Sequence, residues 1–352
     1  MVTIKGTLVG VIEGFYGRSW SIDTRLAYAD YLSEAGLNAC IYCPKEDPYL
    51  RRQWQHDWPQ TKWLELQQLS KTYAERGIKW GVGLSPVELY RDYGAPQRAQ
   101  LKAKLERLGE LEAPLLAILF DDMPGNLDAL ASRQAEIVFD VCRWAPSAKV
   151  LVCPTYYSFD PVLEQHFGPM PGDYWRQLGE DMPLHAEIFW TGNQVCSKSI
   201  ETSDLQPIVE QLGRAVLLWD NYPVNDGAVR SNFLYTSKLA ARSADLGEYI
   251  SGHLCNPMNQ GLLSLPALSG LAGLYGSGHF NDDVLCRLLG PLTWERLSRD
   301  GQVFEQQGLS GMGQQQCQQL ALEYAALPGA AALEVAQWLR GEYSFDPACL
   351  TD

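Results

Sequence analysis

The chain has 352 residues, 46% of them hydrophobic and 20% charged, and carries a formal net charge of −14. That composition belongs to a folded protein and argues against a disordered one. The negative field argues against nucleic acid and anionic membrane surfaces as partners, and suits a neutral substrate.

The N-terminal run MVTIKGTLVGVIEG has too short an apolar stretch for a signal peptide and no small-residue cleavage site after it. No segment approaches the length of a membrane span. The expected location is the cytoplasm. TLVGVIEG, residues 7–14, reads as a strand, and 21–36 as a helix that Ser21 caps and Gly36 ends. NACIYCP, residues 38–44, is the second strand. Its Cys40 and Cys43 are three apart and point to opposite faces, so they share neither a metal nor a disulfide. All nine cysteines are expected to be small buried hydrophobes in a reducing compartment.

A helix over 61–76, a third strand over 79–86, a helix over 96–111 and a fourth strand over 114–122 follow. The second half repeats the scheme. A helix over 127–145 leads to a strand over 149–155, and an irregular stretch with a helix near Tyr174 leads to a strand over 185–192. A helix over 203–214 precedes the seventh strand, 215–221. A helix over 232–245 precedes the eighth, 249–257, and residues 265–276 form a closing helix.

Eight strands alternating with eight helices predict a (β/α)8 barrel over residues 1–280. The alternative, a doubly wound open sheet, usually carries a glycine-rich phosphate turn after its first strand, and EGFYG is not G-x-G-x-x-G. Beyond 280 the alternation stops. Residues 281–352 read as a small helical appendage, with a bend at the Gly-rich LSGMGQQ.

In such a barrel the chemistry sits at the carboxyl ends of the strands. Those ends carry Glu13, Gly14, Lys45, Asp121, Asp122, Tyr156, Tyr157, Trp219, Asn221, Asp226 and Asn256, whereas strand beginnings such as Pro114-Leu115 carry no polar cluster. Flat aromatic faces together with Asp, Asn and Lys are what a neutral sugar needs. Asp121 and Asp122 are adjacent at the end of an apolar strand. Successive residues of a strand point to opposite sides, so the two share a pocket only if the chain is already turning, and Met123-Pro124-Gly125 supplies the turn. Two close carboxylates rarely both ionise, which leaves one anion and one acid, the pair that glycosidic cleavage requires. A neighbouring pair suits a substrate that brings its own nucleophile, such as a 2-acetamido group closing to an oxazoline.

Seven stretches, GVIEGFYGRSW (10–20), IYCPKEDPY (41–49), LFDDM (119–123), CPTYY (153–157), WTG (190–192), WDNYPVND (219–226) and NPMNQ (256–260), resemble in order those of the glycoside hydrolase family 84 β-N-acetylglucosaminidases, which include O-GlcNAcases. The resemblance implies a retaining exo-acting enzyme that needs no metal or organic cofactor and acts on a glycan or glycoprotein bearing N-acetylglucosamine. It implies that Asp121 orients and polarises the acetamido group, that Asp122 is the general acid/base, and that Tyr157 bonds the acetamido carbonyl. Tyr156 stands where the family often has an acid, which leaves the choice between the two tyrosines open. Trp219 matches the acetyl-pocket tryptophan. Gly14 (through its backbone), Lys45, Asn221, Asp226 and Asn256 match contacts to the sugar.

Beside this stand plainer readings. Trp190 is expected in the core, and Asn225 is expected to shape its loop. Glu13 is either a further site acid or an ion-pair partner of Lys45. His56, His166, His185, His253 and His279 show no ligand spacing, so no metal site is expected. An endo-acting hyaluronidase-like hydrolase, or a barrel that binds N-acetylglucosamine without chemistry, are the alternative functions.

Overall fold

Eight short runs rich in Val, Ile, Leu and small residues are buried along almost their whole length. A strand covered on both faces needs this, and in a parallel barrel both faces are covered. In the computed structural model, which describes residues 7–243, 245–276, 278–343 and 345–351, they form β1 (Leu8–Glu13), β2 (Ala39–Tyr42), β3 (Lys79–Leu84), β4 (Leu115–Leu119), β5 (Lys149–Cys153), β6 (Glu187–Trp190), β7 (Val216–Asp220) and β8 (Ile250–Cys255). Each pairs in parallel with the next, and β8 closes on β1, giving the expected closed barrel. The leader argument and the first stretch of the predicted 1–280 unit also involve residues 1–6, which lie outside the described residues.

The helices are α1 (Ile22–Glu34), α2 (Gln60–Glu75), α3 (Ala95–Gly109), α4 (Leu130–Trp144), α5 (Val162–Phe167), α6 (Tyr174–Asp181), α7 (Thr202–Leu212) and α8 (Leu265–Leu274), followed by α9 (Asp282–Leu289), α10 (Pro291–Gln306), α11 (Gly308–Ala325) and α12 (Ala330–Leu339). Ser21 caps α1 by accepting from the Thr24 N–H, and Gly36 takes a positive φ of 67° just past its end, both as the sequence suggests. The bend expected near 309–315 is at Gly313, whose φ of 74° breaks the helical path within α11.

The predicted helix over 232–245 does not form. Only short 3-10 turns at Arg230–Asn232 and Leu246–Glu248 join β7 to β8, and residue 244 lies outside the described residues. Tertiary contacts override the helical spacing here. Leu234 and Leu239 are buried, Leu239 lies against the backbone of Gly270, and Arg242 reaches back to Asp220. The outer helices pack on the same flank. Glu334 of α12 accepts the N–H groups of Leu262 and Leu263, and Trp338 Nε1 donates to Ser231 O.

Cys40 Sγ faces Tyr73 Oη of α2 at 3.6 Å while Cys43 lies inside the barrel beside Gly83, so the two thiols do point apart. The burial expected for all nine cysteines holds for five. Cys142, Cys196, Cys286 and Cys349 are only partly buried. No helix among the described residues is long and apolar enough to cross a membrane.

Candidate active site

The strand ends converge on one cavity at the carboxyl end of the barrel. It brings together the nine residues that the resemblance assigns to the site, Gly14, Lys45, Asp121, Asp122, Tyr157, Trp219, Asn221, Asp226 and Asn256.

Its floor is the acid pair. The β4 ladder runs one residue past the strand, Phe120 N donating to Cys153 O at 2.8 Å. The chain then turns at Asp122 itself, whose φ is 58°, one residue before the expected Met-Pro-Gly turn. Aspartate is among the few residues that tolerate the left-handed region, and this local twist lets both carboxylates face one cavity. Gly125 completes the turn where any side chain would strike the Tyr156 ring, since a Cβ there would lie 2.3 Å from Tyr156 Oη.

Lys45, from the end of β2, forms an ion pair with Asp121, and its Nζ lies 3.5 Å from Asp122 Oδ2. Burial would lower the Lys45 ammonium, but the two carboxylates more than offset it and hold it up at about 12. Burial pushes the Asp121 carboxyl up from its ordinary value; Lys45 opposes this and the Asp122 charge adds to it. Asp121 Oδ1 is buried and has no hydrogen-bond partner among the described residues. A carboxylate oxygen in that position is costly unless it meets a donor.

Trp219 forms one wall. Its ring packs against Gly14, where a Cβ would come within 2.2 Å of it. Any larger residue at position 14 therefore displaces the tryptophan. Trp219 Nε1 donates to Asn221 Oδ1 at 3.0 Å, Asn256 Nδ2 donates to the same oxygen at 3.0 Å, and Gly14 N donates to Asn256 Oδ1 at 3.1 Å. This chain of amides ties β1, β7 and β8 together at the rim. Asp226 accepts from Tyr16 N at 2.7 Å.

The two tyrosines after β5 separate cleanly. Tyr157 faces the cavity, whereas Tyr156 turns outward, donates to Gly168 O and packs edge-on against Tyr174. Trp190 is core, between Phe159 and Trp175. Asn225 holds its loop by donating to Phe233 O and Gln260 Oε1. Glu13 is neither a cavity acid nor the partner of Lys45. It points to the helix side of β1 and takes both Nε and Nη2 of the buried Arg25.

Three features escaped the sequence reading. Tyr16 Oη donates to Asp122 Oδ2 at 2.6 Å, with the Arg51 guanidinium 5.2 Å from the Tyr16 ring. Burial first, and then the Asp122 charge, raise the Tyr16 phenol well above its ordinary value, so it stays a donor. The sequence shows Tyr16 at the carboxyl end of β1, within GVIEGFYGRSW, but gives it no role. The second is a buried cluster, Asp220, His253 and Cys255, whose ligand-type atoms lie within 4.8 Å of one another. Both Asp220 oxygens are already taken, by Arg242 at 2.7 and 2.8 Å and by His253 Nε2 at 2.9 Å. Burial alone would raise Asp220, but these partners hold it down at about 2. Cation binding there would mean displacing a guanidinium, so the cluster reads as the clamp that fixes the ends of β7 and β8. The third is that Cys349 and Thr351, from the far end of the helical appendage, line the cavity.

A family model described as beta-N-acetylglucosaminidase matches residues 9–279, from β1 through α8. The chain belongs to the β-N-acetylglucosaminidase family. Protein O-GlcNAcases of Rattus norvegicus and Mus musculus are each 29% identical to it over 282 residues. The match covers 77% of this chain but 30% of each relative, so the chain spans under a third of those proteins. A mutant O-GlcNAc hydrolase of Thermobaculum terrenum superposes with a TM-score of 0.77 at 26% identity, over 95% of this chain and 80% of that one. The β-N-acetylglucosaminidase match ends before α9 begins at Asp282, so Cys349 and Thr351 reach the cavity from outside the matched region.

Proposed function

We propose that this protein is a retaining exo-β-N-acetylglucosaminidase of O-GlcNAcase type, which releases terminal β-linked N-acetylglucosamine from a glycoprotein or glycan by substrate-assisted catalysis. The observation that carries the reading is the buried Oδ1 of Asp121, which has no partner among the described residues, beside Asp122 and in one cavity with Tyr157 and Trp219.

The acetamido N–H is a donor of the kind that oxygen lacks. With its N–H on Asp121 and its carbonyl on Tyr157, the acetamido group is aimed so that its carbonyl oxygen attacks C1. Asp122 gives its proton to the departing glycosidic oxygen, and an oxazoline forms. Asp122, now a carboxylate, takes a proton from water as that water attacks C1 and the ring reopens, so the β configuration is retained. Tyr16 holds the Asp122 carboxylate in place between the steps. Lys45 keeps charge on Asp121 while the acetamido nitrogen becomes positive. Asp226 and Asn256 take the far hydroxyls of the sugar, which closes the pocket around a terminal residue.

The test compares an aryl 2-acetamido-2-deoxy-β-glucoside with the aryl β-glucoside that lacks the acetamido group. Only the first is expected to be hydrolysed, and a thiazoline mimic of the bicyclic intermediate is expected to inhibit it far more strongly than N-acetylglucosamine does. Comparable turnover of both glycosides would overturn the reading.

A pH dependence follows at Asp226. Burial, opposed by the Tyr16 N–H, pushes its carboxyl up to about 6. The charge that accepts sugar hydroxyls is therefore present above that value and lost below it. KM is expected to rise about tenfold between about pH 7 and about pH 5, and Asp226→Asn is expected to flatten that rise. The sign for stability is the reverse. The native carboxyl holds its proton more tightly than the unfolded one, so this group favours the fold on acidification and ceases to as pH rises through 6. Measuring KM across pH for both forms checks the first, and a flat wild-type profile would remove Asp226 from the sugar contacts.

A further inference from the structure

Residues 345–351 follow α12 and return across the barrel mouth. Tyr157 Oη donates to Thr351 Oγ1 at 3.4 Å, and Cys349 Sγ donates to Asp226 Oδ1 at 3.9 Å. Both residues form part of the wall of the cavity that holds Asp121 and Asp122. Under the function proposed above, on which this inference rests, Tyr157 and Asp226 are the groups that take the acetamido carbonyl and the far hydroxyls. The segment engages the two ends of the sugar subsite at once.

Its approach is structured. Upstream, Tyr343 lies under the Arg18 guanidinium at 5.0 Å and donates to Gln337 Oε1 at 3.3 Å. Asp346 then turns the chain, its Oδ1 accepting Ala348 N at 2.8 Å and its carbonyl accepting Cys349 N at 2.9 Å, and this delivers positions 349 and 351 to the cavity. Little apolar burial holds the segment down, since Phe345 and Leu350 remain 44% and 45% exposed. The contacts of Thr351 with Tyr157 and of Cys349 with Asp226 are polar and long, of a kind a ligand displaces.

We propose that residues 345–351 are an autoinhibitory strap, which occupies the sugar subsite in the resting protein and withdraws when N-acetylglucosamine binds. A site closed for most of the time has its apparent affinity reduced by the open fraction. Removing the strap then lowers KM and leaves kcat alone, because no reacting group is changed.

The test measures kcat and KM on the aryl 2-acetamido glucoside for the full chain and for a chain ending at residue 343. KM is expected to fall about fivefold with kcat unchanged, and a synthetic peptide of residues 345–352 is expected to restore the higher KM as a competitive inhibitor. The double variant Cys349→Ala, Thr351→Ala, which removes the two side-chain contacts to Asp226 and Tyr157 without adding charge, keeps the proposal falsifiable should the shortened chain fold poorly; it is expected to lower KM in the same direction. An equal KM in these variants, or a loss of kcat in a shortened chain of unchanged melting temperature, overturns the strap. Hydrogen exchange judges the strap apart from the chemistry. The amides of Ala348 and Cys349 are expected to be protected in the free protein and to exchange faster with the thiazoline bound. Exchange at the rate of an unfolded peptide in the free protein overturns the strap even if the sugar is hydrolysed. Absence of both hydrolysis and thiazoline binding in every form removes the proposed function instead.

Discussion

Asp122→Ala is expected to reduce kcat/KM about a thousandfold on a glycoside whose leaving group is an ordinary alcohol, and far less on one with a strongly acidic phenol. The asymmetry follows from the role proposed for Asp122 as general acid. An alkoxide cannot depart without a proton, whereas an activated phenolate leaves unaided, so only the first substrate needs Asp122 in the bond-breaking step. The variant's remaining activity on activated glycosides is expected to become limited by the second step, where the missing base no longer assists water, and an added small anion such as azide is expected to rescue it. Steady-state kinetics over a series of aryl leaving groups checks this. Equal loss across the series would take Asp122 out of the proton-transfer role. Tyr16, Lys45 and the left-handed turn at Asp122 all serve to hold that one carboxylate still.

Asp121→Ala is expected to behave differently, slowing every leaving group alike by about a hundred- to a thousandfold. In the proposed mechanism its partner is the acetamido group rather than the aglycone, so leaving-group acidity is expected not to matter to it. This substitution also strips the buried Lys45 of its main counter-charge, and breaking a buried pair from one side costs about 3–5 kcal/mol of stability. Asp121→Asn separates the two effects. It keeps a polar atom beside Lys45 and is expected to melt closer to the wild type, while remaining impaired because an amide carries no charge to offset the forming oxazolinium. Melting temperatures and kcat for both variants check this. Full activity in Asp121→Asn would show that only the hydrogen bond matters, not the charge.

The sequence carried the barrel and the placement of the cavity residues because each depends on short-range pattern. Buried parallel strands read as continuous apolar runs, and the polar residues stand out where those runs stop, as at Lys45 after β2 and Asp121 after β4. What escaped depends on contacts between distant segments. Glu13 reads from its position as either a site acid or a partner of Lys45, yet Arg25 on α1 claims it, because the last residue of β1 faces outward. The 232–245 stretch has helical spacing, but Arg242 is drawn to Asp220 and Leu239 to Gly270, which a continuous helix would not satisfy together. The approach of Thr351 to Tyr157 spans 194 residues, and no local pattern announces it. The need for Gly14 is of the same kind, since only the packed structure reveals that the Trp219 ring lies against it.

The central claim is that the attacking atom belongs to the substrate, and fluorination of the N-acyl group tests it most directly. Each fluorine withdraws electrons from the acyl carbonyl oxygen while changing its size little. If that oxygen is the nucleophile at C1, kcat/KM is expected to fall steadily from the acetyl through the monofluoro- and difluoroacetyl to the trifluoroacetyl aryl glycoside. A rate that does not change along the series would mean that a side chain or water attacks instead, and would contradict the account.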